Sequence, residues 1–414
     1  MTSDIERANF RHLVLEVTWY GLALAATSRF LSVYAIRLGA TPADLGWITS
    51  LPFIVLLGST TLSIRWRSKF TNTIKAIFLP SLGFRFVFLF PALTPLFPEH
   101  LRPAWLIVSA ALAALPQGIS STLFVALLKE AVPEEQLTAL TSRRTVGMNI
   151  TLGIAALVFG FWLEHVPFPI NYQVMFLTAF VMALVSQLEL MQVKVQPAPV
   201  VLPQPGESRT NPLQSPNFQK TIFIAVAIHI GFFAILPVVP LHLVETLGAT
   251  EGFMALFGIA EIGSAALISL FTSRIIARIG NRKMVGLAML CTALAALIMA
   301  LAQSLPITLV AGALSGASWT AATIGLFGTF VESTHEVPHS DMMRYTTVYH
   351  QLIFIAAFVG PMIGSNLANA GVHLVVVMLI GVIFRVVTGS AILSVDQLWA
   401  WMAPKQRIRR LYWR

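Results

Sequence analysis

The chain has 414 residues, of which 56% are hydrophobic and 11% charged, against roughly a quarter charged in a soluble domain. That composition excludes a soluble enzyme of ordinary make-up, a disordered chain, which needs low hydrophobicity, and a disulfide scaffold, since Cys291 is the single cysteine. The net charge of +9 does not mark a nucleic-acid binder, because the basic residues fall between apolar runs; a polytopic membrane protein remains.

Twelve stretches approach the length of about 20 residues that crosses a bilayer as a helix. In chain order they cover 12–36, 45–63, 76–94, 104–128, 146–164, 171–190, 221–243, 252–273, 284–303, 306–331, 347–367 and 372–394. Their length excludes the short alternating segments of a strand barrel, and their internal prolines (Pro52, Pro80, Pro116, Pro237, Pro240, Pro361) predict kinks. The opening MTSDIERANFRH mixes charges of both signs and no small-residue cleavage site follows the first run, so that run reads as a mature helix entered from the cytoplasm. With that start, 22 of the 27 basic residues fall on the inner side, two (Arg37, Arg102) outside and three (Arg29, Arg85, Arg385) within spans. Such asymmetry predicts a multi-pass protein of the plasma (inner) membrane with both termini cytoplasmic.

Residues 191–219 hold six of the 23 prolines and read as a semi-flexible cytoplasmic linker. It divides the chain into six spans at 1–190 and six at 220–394, and a basic tail at 395–414 is expected along the anionic leaflet, in contact with membrane lipids. The halves repeat. Leu38-Gly39-Ala40-Thr41 recurs as Leu247-Gly248-Ala249-Thr250, Asn9-Phe10 as Asn217-Phe218, and Val132-Pro133 as Val337-Pro338, at offsets of 209, 208 and 205 residues. Six spans per half make these parallel repeats about the membrane normal.

The loop Ser273–Lys283 keeps Arg278, Gly280, Arg282 and Lys283 of a G-x-L-x-D-R-x-G-R-K pattern, with Ala277 at the acidic position; Ser68-Lys69-Phe70-Thr71-Asn72 is a more degraded first copy. With Gly360-Pro361-x-x-Gly364 in the eleventh span, the chain resembles the major facilitator superfamily (MFS). The resemblance implies an all-α membrane protein of twelve transmembrane helices in two pseudo-symmetric six-helix bundles. It implies a solute transporter working by alternating access, with the first, fourth, seventh and tenth helices around the cavity. The second, fifth, eighth and eleventh then make the contact between bundles, and Arg278, Gly280, Arg282 and Lys283 form a gating loop, although a topology signal alone also accounts for their charges.

Ionisable groups within spans are costly and so are candidates for function. Glu16, one turn into the first span and on one face with Tyr20, reads as a titrating carboxylate at the cytoplasmic mouth or as a residue reaching interfacial water. Arg29 reads as an anion contact or a snorkelling side chain. His229 falls within one position of Tyr20 under the repeat and is expected to face it across the cavity; it either couples transport to protons or bonds neutrally to a neighbouring helix. Gln117 and Trp319 are expected on the cavity wall, though small-residue packing explains their surroundings equally. Glu261, the deepest carboxylate, needs a partner or a proton. His350 and Gln351 are expected near an inner gate and, with Gly360 and Pro361, on the contact between bundles. Arg85 and Arg385 are expected to turn inward to carboxylates or carbonyls.

Nothing in the sequence marks a cofactor, a metal site or a catalytic centre. The expected function is a secondary transporter, acting as a monomer, that moves a small-molecule substrate in exchange for or together with protons. A uniporter or lipid-handling member of the same fold, and a non-transporting membrane sensor or scaffold, stay open.

Overall fold

The computed structural model describes residues 2–195 and 211–394; most of the expected linker (196–210) and the basic tail (395–414) lie outside the described residues. The described chain is helical throughout. Helix α1 runs Thr2–Ser28 and resumes past Arg29 as Phe30–Arg37; α2 is Pro42–Arg67, α3 Thr73–Leu89, α4 Arg102–Ala131, α5 Glu134–His165 and α6 Ile170–Met191. Helix α7 is Pro216–Phe233, continued by Val238–Leu241 and a π-turn His242–Thr246; then come α8 Glu251–Ile279, α9 Asn281–Leu301, α10 Leu305–Ser333, α11 His339–Asn369 and α12 Leu374–Leu393. Eleven of these segments are long and apolar enough to cross a membrane; α1, interrupted at Arg29, is the helix outside that set. Several helices overrun the expected spans into polar sequence. Hydropathy marks the membrane crossing, whereas a helix ends where its capping chemistry changes.

Two of the three repeated sequence patterns fold alike. Gly39 and Gly248 both take positive φ, 80° and 70°, which only glycine adopts without strain. At the first copy Gly39 N–H bonds the Ile36 carbonyl and Ala40 N–H the Ala35 carbonyl, closing α1 in a Schellman motif. In both copies the threonine then opens the next helix: Thr41 Oγ1 accepts from Asp44 N–H and Thr250 Oγ1 from Phe253 N–H, each at 3.2 Å. Pro133 and Pro338 precede α5 and α11 with nearly equal dihedrals (φ −58°, ψ 151° and φ −55°, ψ 145°).

Packing is dense within each half, α2 on α4 and α1 on α5 and α6 in the first, α10 on α8 and α9 and α9 on α12 in the second. Two seams join the halves, α2 against α11 and α5 against α8. Small residues let backbones close up there. Gly46 lies directly on Ser365, and a Cβ on Gly160 would stand 2.8 Å from that of Ala255.

Candidate functional site: a charged pair across a cavity

A cavity of about 310 Å³ lies where α1, α2, α7, α8, α9, α10 and α12 meet, within the range of small-molecule sites. Its wall is mostly apolar (Leu31, Ile48, Ile235, Met254, Phe257) with hydroxyls from Ser28, Ser32, Thr49 and Ser315. Three charged residues line it: Arg29, Glu261 and Arg385.

Arg29 and Glu261 are bonded to each other, Arg29 Nη1 donating to Glu261 Oε2, and each side chain is about one-fifth exposed. This supplies the partner that the deepest carboxylate requires, from the other half of the chain. Glycines make the approach possible. A Cβ on Gly258 would stand 2.7 Å from Arg29 Nε, and Gly316 lets α10 lie against the Glu261 backbone. The break in α1 falls at Arg29 itself, so the residue carrying the pair sits at an irregular point in its helix.

Arg385 is engaged at all three guanidinium nitrogens, donating to the carbonyls of Gly231 (2.9 Å), Thr292 (2.8 Å) and Phe232 (2.8 Å). Two of these belong to the turn of α7 before Pro237. Helical bonding is interrupted over residues 234–237, where Leu236 N–H turns to the Phe233 carbonyl, and the arginine takes two carbonyls just before the interruption. The side chain thus turns inward to carbonyls, bridging α12 to α7 and α9.

Several expected site residues stand elsewhere. Glu16 is 6% exposed and does not line this cavity. It pairs with Arg144 at 2.8 Å and Arg85 at 3.4 Å, while Arg85 also donates to the Ala183 carbonyl and Ser186 Oγ, both at 2.8 Å. The carboxylate is a structural centre tying α1 to α3, α5 and α6. Tyr20 does not face His229: it packs edge-on against Phe84 and Phe88 of α3. His229 bonds back to the Ala225 carbonyl of its own helix at 2.7 Å, rather than to a neighbouring helix. It touches Phe233 and Trp319, and Trp319 stacks on Phe232 at 4.0 Å. These rings lie together beside the cavity, which Phe232 alone of them lines. Gln117 is exposed and off the cavity wall, with Gly118 seated against Ser59 of α2.

On α11 the division is sharper. Gly360 packs on Ile230 and Phe233 and Gly364 on Ala234, all of α7 within the same half; the seam to α2 is made by Phe354 against Phe53 and Phe358 against Trp47. Pro361 is buried, Gln351 half-buried and His350 exposed, with His350 Nδ1 bonded to the Thr346 carbonyl at 2.9 Å. In the loop 273–283, Gly280 has φ 85° and turns α8 directly into α9. Arg278 and Lys283 are exposed and Arg282 half-buried. Asn281 donates to Glu332 at the end of α10 (2.7 Å). The first copy is tied likewise, Thr73 donating to Glu130 at the end of α4 (2.7 Å).

Sequence reasoning passed over a second charged cluster between the halves. Where α1 ends and α8 begins, Glu251 accepts from Arg37 Nε (2.9 Å) and Nη2 (3.3 Å) and from Tyr172 Oη (3.0 Å). Nearby Glu164 accepts from the Gly252 N–H at 3.0 Å. The hydrogen bond to Glu251 pushes the Arg37 guanidinium above its usual pKa. The sequence does carry a signal: Arg37 breaks the charge asymmetry of the loops as one of two basic residues expected outside.

A family model described as Major Facilitator Superfamily matches residues 18–361. A search of curated proteins finds no match. Among solved structures, the fold is similar to a mutant of the nucleoside transporter NupG (TM-score 0.72, 11% identity, 94% of this chain and 99% of that one). It is similar to the POT family transporter PepTSo (TM-score 0.71, 10% identity, 95% and 98%). It is also similar to an inward-facing, unoccupied bacterial homologue of the human lysosomal transporter Spinster (TM-score 0.68, 13% identity, 96% and 98%).

Proposed function

Because the chain belongs to the major facilitator superfamily of secondary transporters, we propose that it carries a small solute through the Arg29–Glu261 cavity by alternating access, coupled to protons at Glu261. The observation that carries this reading is the single charged bond that crosses the cavity from α1 to α8. An ion pair between the two halves and within a solute-sized space is where binding is felt by both halves at once. Twelve membrane helices in two six-helix bundles, at 1–190 and 220–394, then rock about the cavity, with both termini on the cytoplasmic side of the inner membrane and a monomer as the working unit. The Arg37–Glu251–Tyr172 cluster closes the outer side in the present state.

Glu261 is the proton site best supported by position. A carboxylate released from its arginine inside an apolar wall is stabilised by taking a proton. His229, bonded to its own helix and set against rings, takes no part in this scheme. The repeated glycine and threonine caps, with their matching dihedrals, support the division into two equivalent bundles.

The test is flux into proteoliposomes from a broad solute panel under an imposed pH gradient. The parent is expected to accumulate a solute against its concentration. Glu261→Gln is expected to lose gradient-driven accumulation while keeping exchange of labelled for unlabelled solute. Accumulation by Glu261→Gln equal to the parent's would remove the proton role, and no flux of any solute would remove the transporter reading.

A further inference from the structure

We infer that the cavity takes a small organic monoanion, a carboxylate on an apolar body, which binds Arg29 in place of Glu261 while Glu261 takes up one proton. The inference rests on the transporter reading of the same cavity and names its substrate class.

Three observations lead there. The first is the incomplete pairing. Only Nη1 of Arg29 and Oε2 of Glu261 are joined. Arg29 Nε is buried and, among the described residues, has no hydrogen-bond partner. A guanidinium offers a planar fork that a carboxylate fills with two parallel bonds, so the pair present leaves half of Arg29's best recognition geometry unused.

The second is the charge of the wall. With Arg29 and Arg385 positive and Glu261 negative, the cavity carries one net positive charge. Of the neighbouring helices α7 carries His229 and His242, both buried and neither on the cavity wall. On α10 the sole charged residue is Glu332 at its end, and α5 has no titratable residue between Arg144 and Glu164. A monoanion that arrives with a proton leaves the net charge where it was.

The third is chemical asymmetry. A cationic solute bound to Glu261 would displace Arg29, which cannot give up its proton and would be stranded, charged, among apolar groups. An anion bound to Arg29 displaces Glu261, which escapes that cost by protonation. Only one of the two exchanges has a low-cost exit. The remaining wall, with Leu31, Ile235 and Phe257, suits the body of such an acid, and about 310 Å³ suits one of modest size.

The experiment uses the purified full-length protein and matched probes: benzoate and phenylpropionate, the amines and the alcohols of the same skeletons, with binding followed by calorimetry and proton uptake by a pH indicator in weak buffer. Carboxylate binding is expected to take up about one proton per ligand and to weaken about tenfold per pH unit once Glu261 is ionised in the free protein. Glu261→Gln is expected to bind the carboxylates at least as tightly, without proton uptake and without pH dependence. Arg29→Gln is expected to weaken carboxylate binding about 100-fold.

Preference for the amines or alcohols, carboxylate binding without proton uptake, or no carboxylate binding at all would each overturn the inference. Flux of a cation or a neutral solute in the proteoliposome panel would do so while leaving the transporter reading intact. Because the parent protein and Glu261→Gln both report, loss of folding in Arg29→Gln does not spare it.

Discussion

Glu16→Gln is expected to destabilise the protein by about 3–5 kcal/mol, the usual cost of removing one member of a buried ion pair. The carboxylate is held by two arginines, one of them Arg85, whose side chain is 1% exposed, and both would be left without an anion. Arg85→Met should cost less, because Glu16 keeps its 2.8 Å bond to Arg144. The order of the unfolding temperatures in detergent checks this: parent highest, then Arg85→Met, then Glu16→Gln. A Glu16→Gln protein as stable as the parent but uncoupled from protons would instead make Glu16 a transport carboxylate.

Glu251→Ala is expected to open the outer side. The carboxylate accepts three hydrogen bonds from α1 and α6, yet Arg37 is 38% exposed, so solvent screening reduces what they contribute. A net of about 2 kcal/mol is a reasonable sum, which shifts the balance between outer-closed and outer-open forms about 30-fold. A cysteine at the cavity-lining Ser32, in a Cys291→Ser background, reports the change. An impermeant thiol reagent added outside should label it slowly in the parent and rapidly with Glu251→Ala. Equal labelling rates would show that the cluster holds nothing shut.

The fold was legible because its signals are local. Apolar runs, loop charge and the paired Leu-Gly-Ala-Thr turns each act over a few residues, and the turns form as such, with glycine φ of 80° and 70°. The site was legible only in part. That Glu261 needs a partner followed from depth alone, and the partner was even among the candidates, but nothing in sequence joins positions 232 residues apart. Glu16 was misread for the converse reason: its cations come from the third and fifth helices, and a shallow position in the first span gives no hint of them. Tyr20 and His229 show the limit of the repeat. The offset matches depth in the membrane, but one residue turns a helix face by about 100°, enough to aim Tyr20 at Phe84 and Phe88. Hydropathy also hid the break in α1, whose apolar run continues through Arg29 while its helix does not.

Two halves that move about one cavity must open it first to one side and then to the other. Spin labels at His165 and Thr246 on the outer side, and at Lys75 and Arg278 on the inner, all exposed positions, measure both openings in one protein. Across changes of pH and solute, the outer distance should lengthen in the same population in which the inner one shortens. Two distances that stay fixed, or that lengthen together, would contradict the account.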